Sequence, residues 1–156
     1  METKVLQTDW LVASEVELIY KSKVKASQRP QISSSDKAYQ IALKAWDNNK
    51  IELLEQFKVL ILSNSNKVLG VLEVSSGGIT ATVVDIRIIF SALLKAHATA
   101  FILLHNHPSG NLTPSEADKQ ITRKIKEASK ILDISLLDHL IITSEGYYSF
   151  ADQGAL

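Results

Sequence analysis

With 156 residues, 46% hydrophobic and 22% charged, the chain has the size and make-up of one globular domain that buries a core without staples. Seventeen basic residues balance seventeen acidic ones, so a formal net charge of zero lends no support to non-specific nucleic-acid binding, which draws on many Lys and Arg contacts to phosphates. The absence of cysteine excludes a disulfide framework, thiolate metal ligands and a Cys nucleophile.

No stretch approaches the ~20 apolar residues that cross a bilayer, and the N-terminus lacks the basic-then-apolar pattern of a signal peptide. A cytoplasmic protein with no membrane partner is the expectation. Residues 16–24 read as a strand, and the local basic excess of Lys21, Lys23, Lys25 and Arg29 as its solvated edge. Pro30 and Ser33 to Ser35 punctuate the chain before an amphipathic helix at 36–48. That helix buries Ala38, Ile41, Ala42, Ala45 and Trp46, and the preceding serines or Asp36 can cap it.

The apolar run 57–62 reads as a buried strand, Asn64-Ser65-Asn66 as a turn and 68–74 as the returning strand of a hairpin that Gly77-Gly78 ends. A helix at 86–97 buries Ile88, Ile89, Ala92, Leu93 and Ala96, and another apolar strand follows at 101–104. The best-defined helix spans 114–131, with Thr113 as N-cap, Pro114 in first position and Glu116 closing a Thr-x-x-Glu capping box. Ile121, Ile125, Ala128 and Leu132 supply its apolar face. A strand at 134–143, a turn at Glu145-Gly146 and a short segment 147–150 complete the chain. The order predicts an α+β, α/β-like fold with a largely buried sheet, formed by residues 30–156 behind an extension of residues 1–29.

Residues 101 to 118 carry the chemistry. His105 and His107 end an apolar strand, and side chains two apart on a strand point the same way. Pro108 and Gly110 turn the chain, and Ser115 and Asp118 then share a face at the start of the long helix. Two neutral imidazoles and one carboxylate suit zinc with a fourth position open to water, the arrangement of a catalytic rather than a structural site. Bound zinc brings the pKa of water from 15.7 to about 7.

His-x-His, seven residues, then Ser-x-x-Asp resembles the JAMM motif of MPN/JAB-domain metalloproteases. The segment His105-Asn106-His107-Pro108-Ser109-Gly110, followed by Pro114-Ser115-x-x-Asp118 and the later block around Asp138-His139, is similar to the RadC subfamily from roughly residue 30 onward. The resemblance implies an MPN/JAB, cytidine-deaminase-like mixed sheet flanked by helices. It also implies one Zn2+ per chain held by His105, His107 and Asp118, with Ser115 hydrogen-bonded to the developing oxyanion or orienting the water. A glutamate before an early core strand acts as general acid and base, because water must lose a proton and an amide leaving nitrogen must gain one. Glu55 fits that place and Glu73 is its rival. Glu52 lies further from the apolar run, and Glu116 is assigned to the cap. Asp138 and His139 form a structural polar pair or support a ligand. Asn106 and Ser109 shape the site mouth, Gly110 provides the turn, and His97 is a helix-end residue.

The implied function is zinc-dependent hydrolysis of a peptide or isopeptide bond in a protein or peptide substrate. The alternatives are a DNA repair or recombination-associated protein, as nuclease or accessory factor, and a non-catalytic interaction module. Longer RadC-type proteins carry an N-terminal helix-hairpin-helix segment, whereas only about 30 residues precede the domain here, with no such pattern. That departure and the neutral charge weigh against DNA, and the intact ligand set weighs against a scaffold.

Overall fold

The computed structural model describes residues 17, 19–77 and 83–156. Two largely apolar strands, β1 (Gln56–Leu62) and β3 (Ala100–Asn106), are buried along their whole length. Strand side chains alternate between faces, so such runs must be covered on both sides. Phe57, Val59, Ile61, Phe101 and Leu103 pack into one core, and Leu60, Leu62, Ile102 and Leu104 into the other. A fully buried side chain of this kind contributes roughly 1.5–3 kcal/mol.

With β2 (Val68–Ser76), β4 (Ser135–Ile142) and β5 (Tyr147–Ser149), these strands form one mixed sheet of order β2-β1-β3-β4-β5. The pairs β1/β2, β1/β3 and β4/β5 are antiparallel, and β3/β4 is parallel. The β1–β2 turn places Asn66 at φ 57, a left-handed conformation that asparagine tolerates. α1 (Ser35–Lys44) covers one face, with Ser34 as its N-cap. α2 (Ile86–Lys95) and α3 (Glu116–Ile131) cover the other, α3 being the crossover between parallel strands.

Several sequence expectations change. Residues 19–25 form no strand; Tyr20 Oη donates to Leu69 O, but the start of β2 pairs instead with the segment at Gln31, Val68 N–H donating to Pro30 O. The rest of the expected 16–24 strand, residues 16 and 18, lies outside the described residues. α1 stops at Lys44, which leaves Ala45 exposed, buries Trp46 beyond the helix and puts Tyr39 in the core. Ile88 and Leu132 are exposed. Ile125 is buried and Ile121 and Ala128 pack partly buried against the core, as expected, while the buried positions of α3 also include Asp118, Thr122 and Ser129, all polar. A helix normally buries an apolar stripe; Ser129 is satisfied within α3 by Lys126 O, whereas Thr122 meets His139 of β4 beneath the helix.

Candidate metal centre

Antiparallel register assembles the site. Phe57 pairs with His105, so two residues further out Glu55 falls opposite His107, on the same face of the sheet. The main chain carries on the β3–β4 ladder one step past β3, His107 N–H donating to Ile142 O. The His105 and His107 rings therefore stand side by side, centroids 4.8 Å apart and nearly perpendicular. Gly110, at φ 82, turns the chain back where a side chain would be strained, and the loop delivers α3 over the two rings.

The start of α3 is not the expected one. Ser115, not Thr113, is the N-cap: its Oγ accepts from Asp118 N–H at 3.0 Å, and Asp118 Oδ2 accepts from Ser115 N–H at 2.8 Å. Ser-x-x-Asp is itself the capping box, because Asp serves at the third helical position as Glu does. Glu116 has no capping role and pairs with Lys119 on the surface. The reciprocal bonds fix Asp118 with its carboxylate towards the histidines, one oxygen 3.3 Å from His105 Nδ1 and the other 3.3 Å from His107 Nε2.

Glu55 closes the group, its Oε1 against His105 Nε2. Donor atoms of Glu55, His105, His107 and Asp118 all lie within 4.8 Å of one another. Glu73 lies elsewhere: it pairs with Lys58 across β1/β2 and accepts from Gln56 Nε2. Glu52 accepts from Ser144 Oγ at 2.6 Å, outside the cluster.

Asn106, between the two histidines, points to the opposite face and is completely buried. Its Nδ2 donates to Ile51 O at 2.8 Å and Leu54 O at 2.9 Å, and its Oδ1 accepts from Gln56 N–H at 2.6 Å. It therefore grips the backbone on both sides of Glu55 rather than shaping the mouth, which Ser109 does line. A lone amide in an apolar strand is the sequence signal for such a role.

The donor set fits a metal ion. His107 Nδ1 lies 2.6 Å from Asn111 O and can only donate there, which leaves Nε2 with its lone pair towards the cluster. His105 Nδ1 is buried, with no hydrogen-bond partner among the described residues. The two imidazole–carboxylate separations are 3.3 Å, each to a different Asp118 oxygen, close to the roughly 3.3–3.4 Å between ligand atoms of tetrahedral zinc with arms of about 2.0–2.1 Å. Imidazole with carboxylate is also a set that several first-row divalent ions accept.

Burial pushes the Asp118 carboxyl up, but its contacts with His107 and His105 and the Ser115 N–H outweigh that and hold it well below the usual carboxylate range. The same contact raises His107, against partial desolvation. The Asp138-His139 pair splits. Asp138 is raised by burial and accepts from Ser149 Oγ, Ala151 N–H and His139 N–H, organising the end of the sheet. His139 faces α3 and is pushed down to about 3 by burial. His97 sits just past α2, exposed and at φ 54.

A cleft of about 500 Å3 opens beside His107, between the segment Pro108, Gly110 and Leu112 on one side and the turn Thr143 to Gly146 with Glu52 on the other. No helix among the described residues is long and apolar enough to cross a membrane.

A family model described as RadC-like JAB domain matches residues 32–155. A UPF0758 protein of Flavobacterium johnsoniae is 59% identical over 100 residues, covering 64% of this chain and 44% of the relative. UPF0758 protein STH371 of Symbiobacterium thermophilum is 44% identical over 103 residues, covering 66% of this chain and 44% of the relative. A UPF0758 protein of Porphyromonas gingivalis is 44% identical over 103 residues, covering 65% and 45%. The matched stretch thus spans less than half of these relatives' length.

Proposed function

The chain belongs to the RadC-like JAB-domain family, and from that premise we propose that it is a zinc-dependent hydrolase of a peptide or isopeptide bond. The observation that carries this reading is the convergence of Glu55, His105, His107 and Asp118 within 4.8 Å at the end of a substrate-sized cleft.

His105, His107 and Asp118 hold the ion. Bound zinc supplies Lewis acidity, making a water nucleophilic at neutral pH and polarising the carbonyl under attack. The Glu55 carboxylate takes the proton from the attacking water and returns it to the leaving nitrogen, so one residue serves as base and then acid. Ser115 spends a lone pair on the Asp118 N–H, which leaves its hydroxyl hydrogen free to donate to the developing oxyanion. The substrate backbone lies in the cleft between Leu112 and the Thr143–Gly146 turn.

The test pairs metal content with a peptide and isopeptide library. About one equivalent of zinc is expected in the wild type and in Glu55→Gln, with cleavage by the wild type and none by Glu55→Gln, Asp118→Ala or His107→Ala. Less than about half an equivalent, with none rebinding, overturns the metal assignment. Intact activity in Glu55→Gln with loss in Glu73→Gln overturns the base.

One feature favours the second reading, a DNA-associated protein. Lys119, Arg123, Lys126 and Lys130 of α3 line a surface depression bordered by Tyr148, together with Glu127; Lys119 is paired with Glu116 and Lys126 donates to Leu156 O. DNA affinity that falls steeply with salt and is lost on charge reversal at Arg123 and Lys130 would establish it; salt-insensitive or absent binding removes it.

A further inference from the structure

His139 is wholly buried in β4, paired with Leu103 and so on the sheet face that carries His105. Its ring stacks on Phe150, centroids 4.7 Å apart and 8° from parallel, and stands 6.1 Å from the His105 ring. It is outside the metal-ligating group. Nδ1 lies 2.6 Å from Thr122 Oγ1, and Nε2 has no hydrogen-bond partner among the described residues.

Thr122 Oγ1 has a second short contact, 2.6 Å to the main-chain oxygen of Asp118. A threonine hydroxyl has one hydrogen to donate, and a carbonyl oxygen only accepts. The Thr122 hydrogen therefore goes to Asp118 O, and the contact with the ring must be a donation from Nδ1–H to Oγ1. The other tautomer would set two lone pairs against each other and bury an N–H at Nε2 without an acceptor, at a cost of roughly 1–3 kcal/mol.

We infer that His139 is a positioning residue: as an Nδ1–H imidazole it holds Thr122, and through Thr122 it anchors the helical turn that presents Asp118 to the histidines. The capping box fixes the Asp118 carboxylate from the N-terminal side, and the Thr122–His139 pair ties the same residue's carbonyl to β4. Thr122, polar on the buried face of α3, thereby acquires a purpose: it sets where the start of the helix sits along the sheet. The consequence for metal affinity rests on the proposed metal site, whereas the tautomer does not.

The experiment has two arms. Long-range 1H–15N correlation spectra of the metal-free protein should show the His139 proton on Nδ1, with Nε2 bare; a proton on Nε2 overturns the inference. Affinity for zinc, and for cobalt(II) read by its visible absorption, should fall about 10–100-fold in Thr122→Val and His139→Leu. Thr122→Ser and His139→Asn keep a hydroxyl and a donor near the Nδ1 position, and should recover most of it with the wild-type cobalt spectrum. Should His139→Leu not fold, Thr122→Val carries the measurement. A folded Thr122→Val that binds both ions like the wild type overturns the positioning role. A wild type that binds neither ion defeats the metal reading alone, and the tautomer is still decided by the spectra.

Discussion

Asn106 holds Glu55 from behind: its side-chain amide donates to Ile51 O and Leu54 O and accepts from Gln56 N–H, so the backbone on both sides of Glu55 is tied to the strand that carries the histidines. The general base proposed for this site is thus set by a residue on the opposite face of the sheet. Asn106→Asp keeps the acceptor and loses both donations. Each carbonyl left buried and unpaired costs roughly 1–3 kcal/mol. Urea unfolding of Asn106→Asp should show that loss, and library cleavage should drop more than zinc affinity does, because the base and not the ligand set is displaced. Equal losses in affinity and turnover would place Asn106 in general stability only.

Ser115 and Asp118 cap α3 together, and the Asp118 carboxylate is one of the four grouped donors. Ser115→Ala should cost about 0.5–2 kcal/mol of stability through the lost cap while still binding zinc. Asp118→Asn keeps an oxygen for the Ser115 N–H, so the cap survives, but it removes the anionic ligand together with the charge that His107 and His105 favour. Zinc at a hundred times its Kd stabilises a binding protein by about 2.7 kcal/mol. That increment, read as a shift in the urea midpoint, is expected in Ser115→Ala and absent in Asp118→Asn.

Metal affinity should fall with acid earlier than for an ordinary histidine site. Asp118 raises the pKa of His107 above its usual 6.5, and a protonated imidazole has no lone pair to give. As pH drops through the raised value, protons displace the ion. Zinc competition against a chelator from pH 8 to pH 6 should show weakening that begins above pH 6.5 in the wild type, and an NMR titration of the metal-free protein should show the His107 midpoint moved down in Asp118→Asn. A midpoint unchanged by that substitution would detach His107 from Asp118.

His139 has the opposite sign. Burial pushes its pKa down to about 3, from 6.5 in the unfolded chain. Between those values the unfolded chain binds a proton at this position and the native chain does not. Stability tied to the neutral ring is therefore complete above pH 6.5 and is lost as pH falls towards 3. The effect is on the order of a few kcal/mol. His107, raised by its partner, contributes stability below 6.5 that is lost as pH rises through its folded value. Urea unfolding of metal-free wild type and His139→Asn at stepped pH isolates the His139 part: the wild type's advantage at pH 7 should shrink steadily by pH 4. Parallel curves would mean that the ring is solvated.

Much of the site is local chemistry, and the sequence by itself determined that much. Strand alternation puts His105 and His107 on one side, helical spacing puts Ser115 and Asp118 on one face, and Pro108 with Gly110 turns one towards the other. The two-faced burial of the central strands follows from their largely apolar runs, which Lys58 interrupts in β1. Neighbours in the chain set these features, so they can be read from it.

The tertiary structure decided the rest. The proximity of Glu55, rather than Glu73, to the histidines follows from the Phe57–His105 register, which composition does not encode. Both Thr113-x-x-Glu116 and Ser115-x-x-Asp118 satisfy the capping pattern, and packing of α3 on the sheet selects the second. Asn106 and Thr122 are ordinary polar residues until strands and helix meet, since their hydrogen-bond partners lie 50 to 55 residues away for Asn106 and, in His139, 17 for Thr122. A buried polar group must be paired, and which group pairs it is settled only when the elements come together.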